Sequence, residues 1–165
     1  LLTLVLGGAR SGKSRQAESL ATQAAPPWVY IATAQAFDDE MRVRIAEHRA
    51  RRPPGWRTIE APVDLWSALS EAGNLPVLVD CLTLWLTNLM LGGHDMPAAI
   101  ASFEWALSQR SAPTVVVSNE VGLGIVPDNA LARAFRDHAG LLNQRIATQA
   151  DRVLFMVAGL PMVLK

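Results

Sequence analysis

The chain has 165 residues, half of them apolar, with 15 basic and 15 acidic side chains that leave no formal net charge. That length suits one domain with a real core, and the neutral balance argues against a general nucleic-acid binder or a partner of acidic membranes. No run reaches the roughly 18 to 20 apolar residues of a membrane span, and the lone Cys81 excludes an intrachain disulfide and fits a reducing cytoplasm.

In chain order, Leu1 to Leu6 reads as a buried strand, with no signal peptide expected before it and a few residues expected ahead of Leu1, which is not Met. It runs into Gly7-Gly8-Ala9-Arg10-Ser11-Gly12-Lys13-Ser14, which fits Gly-x-x-x-x-Gly-Lys-Ser/Thr. Glycines let such a loop approach a ligand closely, and its N–H groups, with the positive end of the next helix, hold phosphates. Lys13 would reach the β and γ phosphates, and Ser14 would place its hydroxyl on Mg2+. A helix from Ser14 to Ala24 completes the order strand, loop, helix. A glycine turn that binds nothing would not call for the Lys-Ser pair or the spacing.

After Pro26-Pro27, Trp28 to Thr33 reads as a second strand, expected to run beside the first. Asp38-Asp39 then caps a charged helix that Pro53-Pro54 stops near Arg52. Met41, Ile45, His48 and Arg52 share one face of it. Trp56 to Glu60 reads as a short strand and Pro62 to Ala72 as a short helix. Val77 to Asp80 is an apolar strand ending in a carboxylate, and apolar residues return at helical spacing from Leu82 to Leu91. A further helix spans Met96 to Gln109. Thr114 to Ser118 is the clearest central strand, followed by the long loop Asn119 to Pro127. Asp128 is expected to cap a helix reaching Ala150, Arg152 to Ala158 is the last strong strand, and Val163-Leu164 adds a short one.

Alternating strands and helices predict an α/β fold with a parallel sheet covered on both faces. Ligands bind outside the carboxyl ends of such strands, where the glycine loop, Thr33, Asp80 and Asn119-Glu120 would gather. Beside the glycine loop, Asp80 fits the second carboxylate of a nucleotide site, holding Mg2+ directly or through water. The cluster His48-Arg49-Ala50-Arg51-Arg52 has two readings. One is a solvated helix end whose arginines suit the helix dipole while His48 packs on Ile45. In the other, the guanidiniums favour a neutral imidazole that attacks phosphorus, and they hold the oxygens of the phosphate attacked. His94 and His138 lack partners at ligand spacing, so zinc is not expected. Glu60 and Glu120, judged singly, read as solvated or structural carboxylates.

Six segments carry a resemblance: Gly7 to Ser14, Tyr30 to Thr33, Asp38 to Met41, Arg44 to His48, Trp56 to Thr58 and Asn119 to Pro127. In that order they resemble the bifunctional adenosylcobinamide kinase and adenosylcobinamide-phosphate guanylyltransferase family of cobalamin biosynthesis. The resemblance implies a P-loop NTPase fold of the RecA type and two reactions. The γ phosphate of ATP or GTP passes to adenosylcobinamide, and GMP from GTP then passes through a histidine to the new phosphate, giving adenosylcobinamide-GDP. It implies that His48 is the guanylylated residue and that Ala32, Thr33, Ala34, Arg49, Ala50, Arg51, Arg52, Glu60 and Asp80 complete the nucleotide site. It also implies a homotrimer, for which the helix Leu82 to Leu91 could supply either interface or core. No corrinoid-contact motif and no cobalt ligand are visible. Two other readings stay open on the residues alone: a monofunctional small-molecule kinase with His48 structural, and a nucleotide-dependent switch or assembly ATPase with a protein partner.

Overall fold

The computed structural model describes all 165 residues. Its elements are β1 (Leu2–Gly7), α1 (Lys13–Ala21), β2 (Trp28–Ala32), α2 (Asp39–Arg51), β3 (Trp56–Glu60), α3 (Leu65–Ala72) and β4 (Val77–Asp80). They continue with α4 (Leu82–Leu91), α5 (Met96–Ser108), β5 (Thr114–Asn119), α6 (Ala130–Gln149), β6 (Arg152–Val157) and β7 (Leu160–Val163). The sheet order is β3-β2-β4-β5-β1-β6-β7. All neighbours pair in parallel except β7, which returns antiparallel on β6.

This order corrects the expectation that β2 runs beside β1, because β4 and β5 stand between them. Val77, Leu78 and Val79 of β4 and Thr114 to Ser118 of β5 are buried, so both strands take the centre. β3, with one buried residue in five, suits the edge. Register then brings Gly7 beside Asn119 and Ala32 beside Asp80. The carboxyl ends of β1, β2, β4 and β5 share one rim, the expected place for ligands.

Caps set the helix starts. Asp38 accepts from the Met41 amide at 2.7 Å, as expected. α3 begins at Leu65 rather than Pro62, because Asp64 accepts from the Ser67 amide and hydroxyl and is held below the usual carboxylate range by those bonds. α6 is capped by Asn129, which accepts from Ala132 N, rather than by Asp128. α1 ends at Ala21, short of Ala24, where the Thr22 hydroxyl donates back to the Glu18 carbonyl.

The two faces of the sheet are covered unequally. Leu4, Val29, Ile31, Val79 and Val116 join α3, α4, α5 and α6 in a core of 23 buried residues. On the other face Val5, Tyr30, Leu78, Val115 and Val117 meet Ala17 and Ala21 of α1, with Cys81 and Met156, in a core of nine. Most of α4 joins the larger core: Leu82, Trp85, Leu86 and Leu89 are buried, and the Trp85 and Phe103 rings meet at a tilt with centres 5.3 Å apart. α2 buries no residue at all.

Candidate active site

Two cavities open on the rim. The first lies at the glycine loop and is lined by Arg10, Ser11, Gly12, Lys13 and Ser14, with Arg15, Gln16, Met156 and Gly159 behind. Gly7, Gly8 and Ala9 lead into it from the end of β1. Gly12 has φ +91°, and a Cβ there would sit 3.1 Å from Gly159 Cα, so only glycine fits. A Cβ at Gly7 would overlap the Ser11 hydroxyl. That hydroxyl is buried and has no hydrogen-bond partner. A buried unpaired donor costs about 1–3 kcal/mol, which an anion in the loop would offset. Lys13 Nζ meanwhile donates to the Gly8 carbonyl at 2.9 Å, folded across the loop where a phosphate would lie.

The second cavity, about 260 Å³, lies under α2. Met41, Ile45, His48 and Arg52 all line it, the helix face expected from their spacing. Ala32, Ala34, Arg49, Glu60 and Asp80 line it too, so seven of the residues expected at the nucleotide site surround one space. Arg44, Tyr30 and Thr58 complete its polar wall.

Its charges are held in place from the sheet. The Tyr30 hydroxyl donates to Asp80 Oδ2, and burial, then the Asp80 charge, push the phenol well above its usual range. The Arg52 guanidinium lies over the Tyr30 ring, 3.8 Å from its centre, and donates to Thr58 Oγ1 at 3.0 Å. Arg49 pairs with Glu60 at 3.2 Å across the mouth. Both partners are half exposed, so the bond serves position more than stability.

The remaining expected residues are placed differently. Thr33 is fully buried, and its hydroxyl accepts from the Cys81 amide at 2.8 Å and donates to the Cys81 carbonyl at 2.7 Å. Its side chain thus ties β2 to the chain after Asp80. Ala50 lines a third hollow with Phe37, Ala36 and Ala46, which adjoins the His48 cavity and shares Ala32, Ala34, Ile45, Arg49 and Glu60 with it. Arg51 is exposed and lines none of the three. Glu120 accepts from the Gly122 amide at 2.6 Å and shapes its own loop.

Sequence reasoning passed over Glu18, and it counted Tyr30 and Thr58 in the segments that carry the resemblance without giving either a place in the site. Glu18 is half-buried on α1, and burial pushes its carboxyl up. Arg52 pulls it down, Asp80 raises it and His48 lowers it. The signal was present: Glu18 follows Ser14 by four residues and so shares its helix face.

Comparison with known proteins adds the chemistry. Residues 3–164 match the family described as cobinamide kinase / cobinamide phosphate guanyltransferase, CobU. The bifunctional adenosylcobalamin biosynthesis protein CobP of Pseudomonas aeruginosa is 54% identical over 169 residues, covering 98% of this chain and 96% of the relative. The CobU proteins of Salmonella typhimurium and Escherichia coli are 43% and 42% identical, each alignment covering all of both chains. A solved ATPase of a bacterial type III secretion system shares the fold at TM-score 0.59 and 12% identity, over 98% of this chain and 56% of that one. A glycine-loop α/β fold, matched almost end to end by this family's pattern, means that the chain belongs to the CobU family of cobinamide kinases and cobinamide-phosphate guanylyltransferases.

Proposed function

We propose that the two cavities hold separate parts of the family's chemistry: the glycine loop holds the nucleotide phosphates in both reactions, and His48 in the second cavity takes GMP in one of them. The chain is an adenosylcobinamide kinase and adenosylcobinamide-phosphate guanylyltransferase of cobalamin biosynthesis. The carrying observation is that the loop cavity and the His48 cavity share no lining residue.

In the kinase step Lys13 leaves the Gly8 carbonyl for the β and γ phosphates, and the loop amides and the Ser11 hydroxyl hold their oxygens. The acceptor is the hydroxyl on the aminopropanol arm of adenosylcobinamide. In the second step a ring nitrogen of His48 attacks the α phosphorus of GTP, the bond to the β-phosphate oxygen breaks, and pyrophosphate leaves. Arg44, Arg49 and Arg52 stabilise charge on the attacked group. The phosphate of the acceptor then attacks the same phosphorus and frees His48.

Mg2+ fits this donor set. Asp80 has one oxygen engaged by Tyr30 and the other free of protein hydrogen bonds, and Ser14 offers a hydroxyl on the same rim. No three ligating side chains cluster, which suits an ion held largely by phosphate and water. Ser14 and Asp80 would hold it, and bound there it would neutralise phosphate charge.

Because α2 buries nothing and two adjoining hollows open beneath it, we assign it a closing motion that carries His48 toward the loop. The exposed Leu123, Ile125 and Val126 of the long loop support a homotrimer better than α4 does. A cytoplasmic site of action fits the free thiol of Cys81. No helix is long and apolar enough to cross a membrane.

Intact mass after incubation with GTP and Mg2+ tests the assignment of His48. The expected result is an acid-labile GMP adduct on wild type and none on His48→Ala. A folded His48→Ala protein that keeps both reactions would leave a structural histidine instead.

A further inference from the structure

The two reactions share an acceptor, and neither the loop cavity nor the His48 cavity suits the bulk of it. Cobinamide is a flat corrin macrocycle fringed with carboxamides, and one arm carries the reacting hydroxyl. The loop cavity has Met156 as its one apolar side chain. The His48 cavity, about 260 Å³, falls below the roughly 300–1,000 Å³ of small-molecule sites, whereas the hollow beside it, about 720 Å³, lies within that range.

That hollow is built from the segment between β2 and α2 and from one stripe of α2. Arg42, Ala46 and Ala50 recur every four residues and so share a face, next to the face that carries His48. Ala36, Phe37, Ala46 and Pro62 give an apolar lining of small groups around one aromatic ring. Phe37 is 70% exposed, a large apolar side chain that the protein's own core does not cover. Polar groups are set among these. Gln35 and Arg42 line the hollow, and the N–H and C=O groups of Ala34 to Phe37 join no backbone hydrogen bond. Carboxamides both donate and accept, so they match free peptide groups, while the macrocycle matches the apolar wall.

Its position matches the chemistry as well. The hollow shares Ala32, Ala34, Ile45, Arg49 and Glu60 with the His48 cavity, and no residue with the loop cavity. We propose that it is the acceptor site: the corrin ring lies against Phe37, and the arm passes over Ala32 and Ala34 into the His48 cavity. This rests on the reading of the chain as both kinase and guanylyltransferase. The Arg49–Glu60 pair spans the passage at 3.2 Å, half exposed and so held weakly. Parting it admits the arm and frees the Arg49 guanidinium for the acceptor's phosphate. One seat for the ring serves both reactions, and only the arm changes place between them.

The test uses the full chain with Phe37→Ala, which removes the ring contact, and Ala46→Trp, which fills the hollow. Both positions are exposed, and α2 buries nothing, so neither change threatens the fold. Four quantities are read: KM and kcat for adenosylcobinamide in the kinase reaction, discharge of a preformed GMP adduct to adenosylcobinamide phosphate, adduct formation from GTP alone, and GTP affinity. We expect KM for the acceptor to rise about tenfold in Phe37→Ala and about 30-fold in Ala46→Trp, with kcat within about threefold. The acceptor concentration needed for discharge should rise in parallel, while adduct formation and GTP affinity stay within about threefold of wild type. Losses confined to GTP affinity and adduct formation would overturn the proposal and make the hollow a nucleotide subsite. An unchanged acceptor KM in both variants, or equal losses in all four quantities, would overturn it too. A wild type that forms no adduct would overturn the role of His48 instead, and the acceptor KM of the kinase reaction would still decide the hollow.

Discussion

From Gly7 to Ala21 the backbone is gripped by β1, β5 and β6 and by a small core, whereas from Asp39 to Arg51 no side chain is buried. On the proposed reading the first region would hold a group common to both reactions, the nucleotide phosphates, on a firmly fixed backbone. On the same reading the second would present His48 in one reaction and make room for an acceptor hydroxyl in the other. Its contacts are accordingly few and polar: an Asp38 cap at its start, and toward its end Arg49 on Glu60 and Arg52 on Tyr30 and Thr58. Rigid support goes where the demand is constant, and loose support where it changes.

Substitutions can break this contrast. Lys13→Ala should cut both reactions about 100- to 1,000-fold, since it removes a charge used by each, whereas His48→Ala should abolish only the GMP adduct. Steady-state and single-turnover assays of the two steps would show the split. On stability, Trp85→Ala in the heavily covered face should cost about 3–5 kcal/mol in denaturant titration. Gly12→Ala, forcing a side chain onto φ +91° against Gly159, should cost about 1–3 kcal/mol. Ile45→Ala on α2, only half-buried, should cost less than about 1 kcal/mol, and a larger loss would mean that α2 is anchored more firmly than its contacts imply.

Cys81 sharpens the comparison with the smallest effect. Burial first, then the charge of Asp80, push its thiol up to about 11. The native protein therefore holds this proton more tightly than the unfolded chain, whose thiol sits near the usual 9.0. That contribution is complete below pH 9 and is lost as pH rises toward 11. Alkylation at pH 8 should be slow in the folded protein and fast in denaturant. Rapid native labelling would show that the rim around Asp80 opens more readily than the structure indicates.

Much of this could be read in the sequence because local chemistry dictates it. The spacing of Gly7, Gly12 and Lys13 specified the loop, and Met41, Ile45, His48 and Arg52 specified the cavity-facing side of α2. The strand order could not be read the same way. That β4 and β5 separate β2 from β1 follows from which strands are buried on both faces, a property of the packed whole. The cap of α6 shifted by one residue, from Asp128 to Asn129, where two candidates adjoin. Glu18 was missed because its half-buried setting follows from how α1 packs on the sheet. Thr33 shows the converse, since a residue picked out by its motif spends its hydroxyl on Cys81.

The contrast between a fixed cradle and a moving histidine is tested most directly by distance. Spin labels at Ser19→Cys on α1 and Val43→Cys on α2 would report it by pulsed electron resonance, since both positions are exposed and the native Cys81 is buried. The account predicts a broad distribution in the free protein that narrows and shortens when a non-hydrolysable GTP analogue and Mg2+ bind. An unchanged distribution, in a labelled protein that still forms the GMP adduct with GTP, would contradict it.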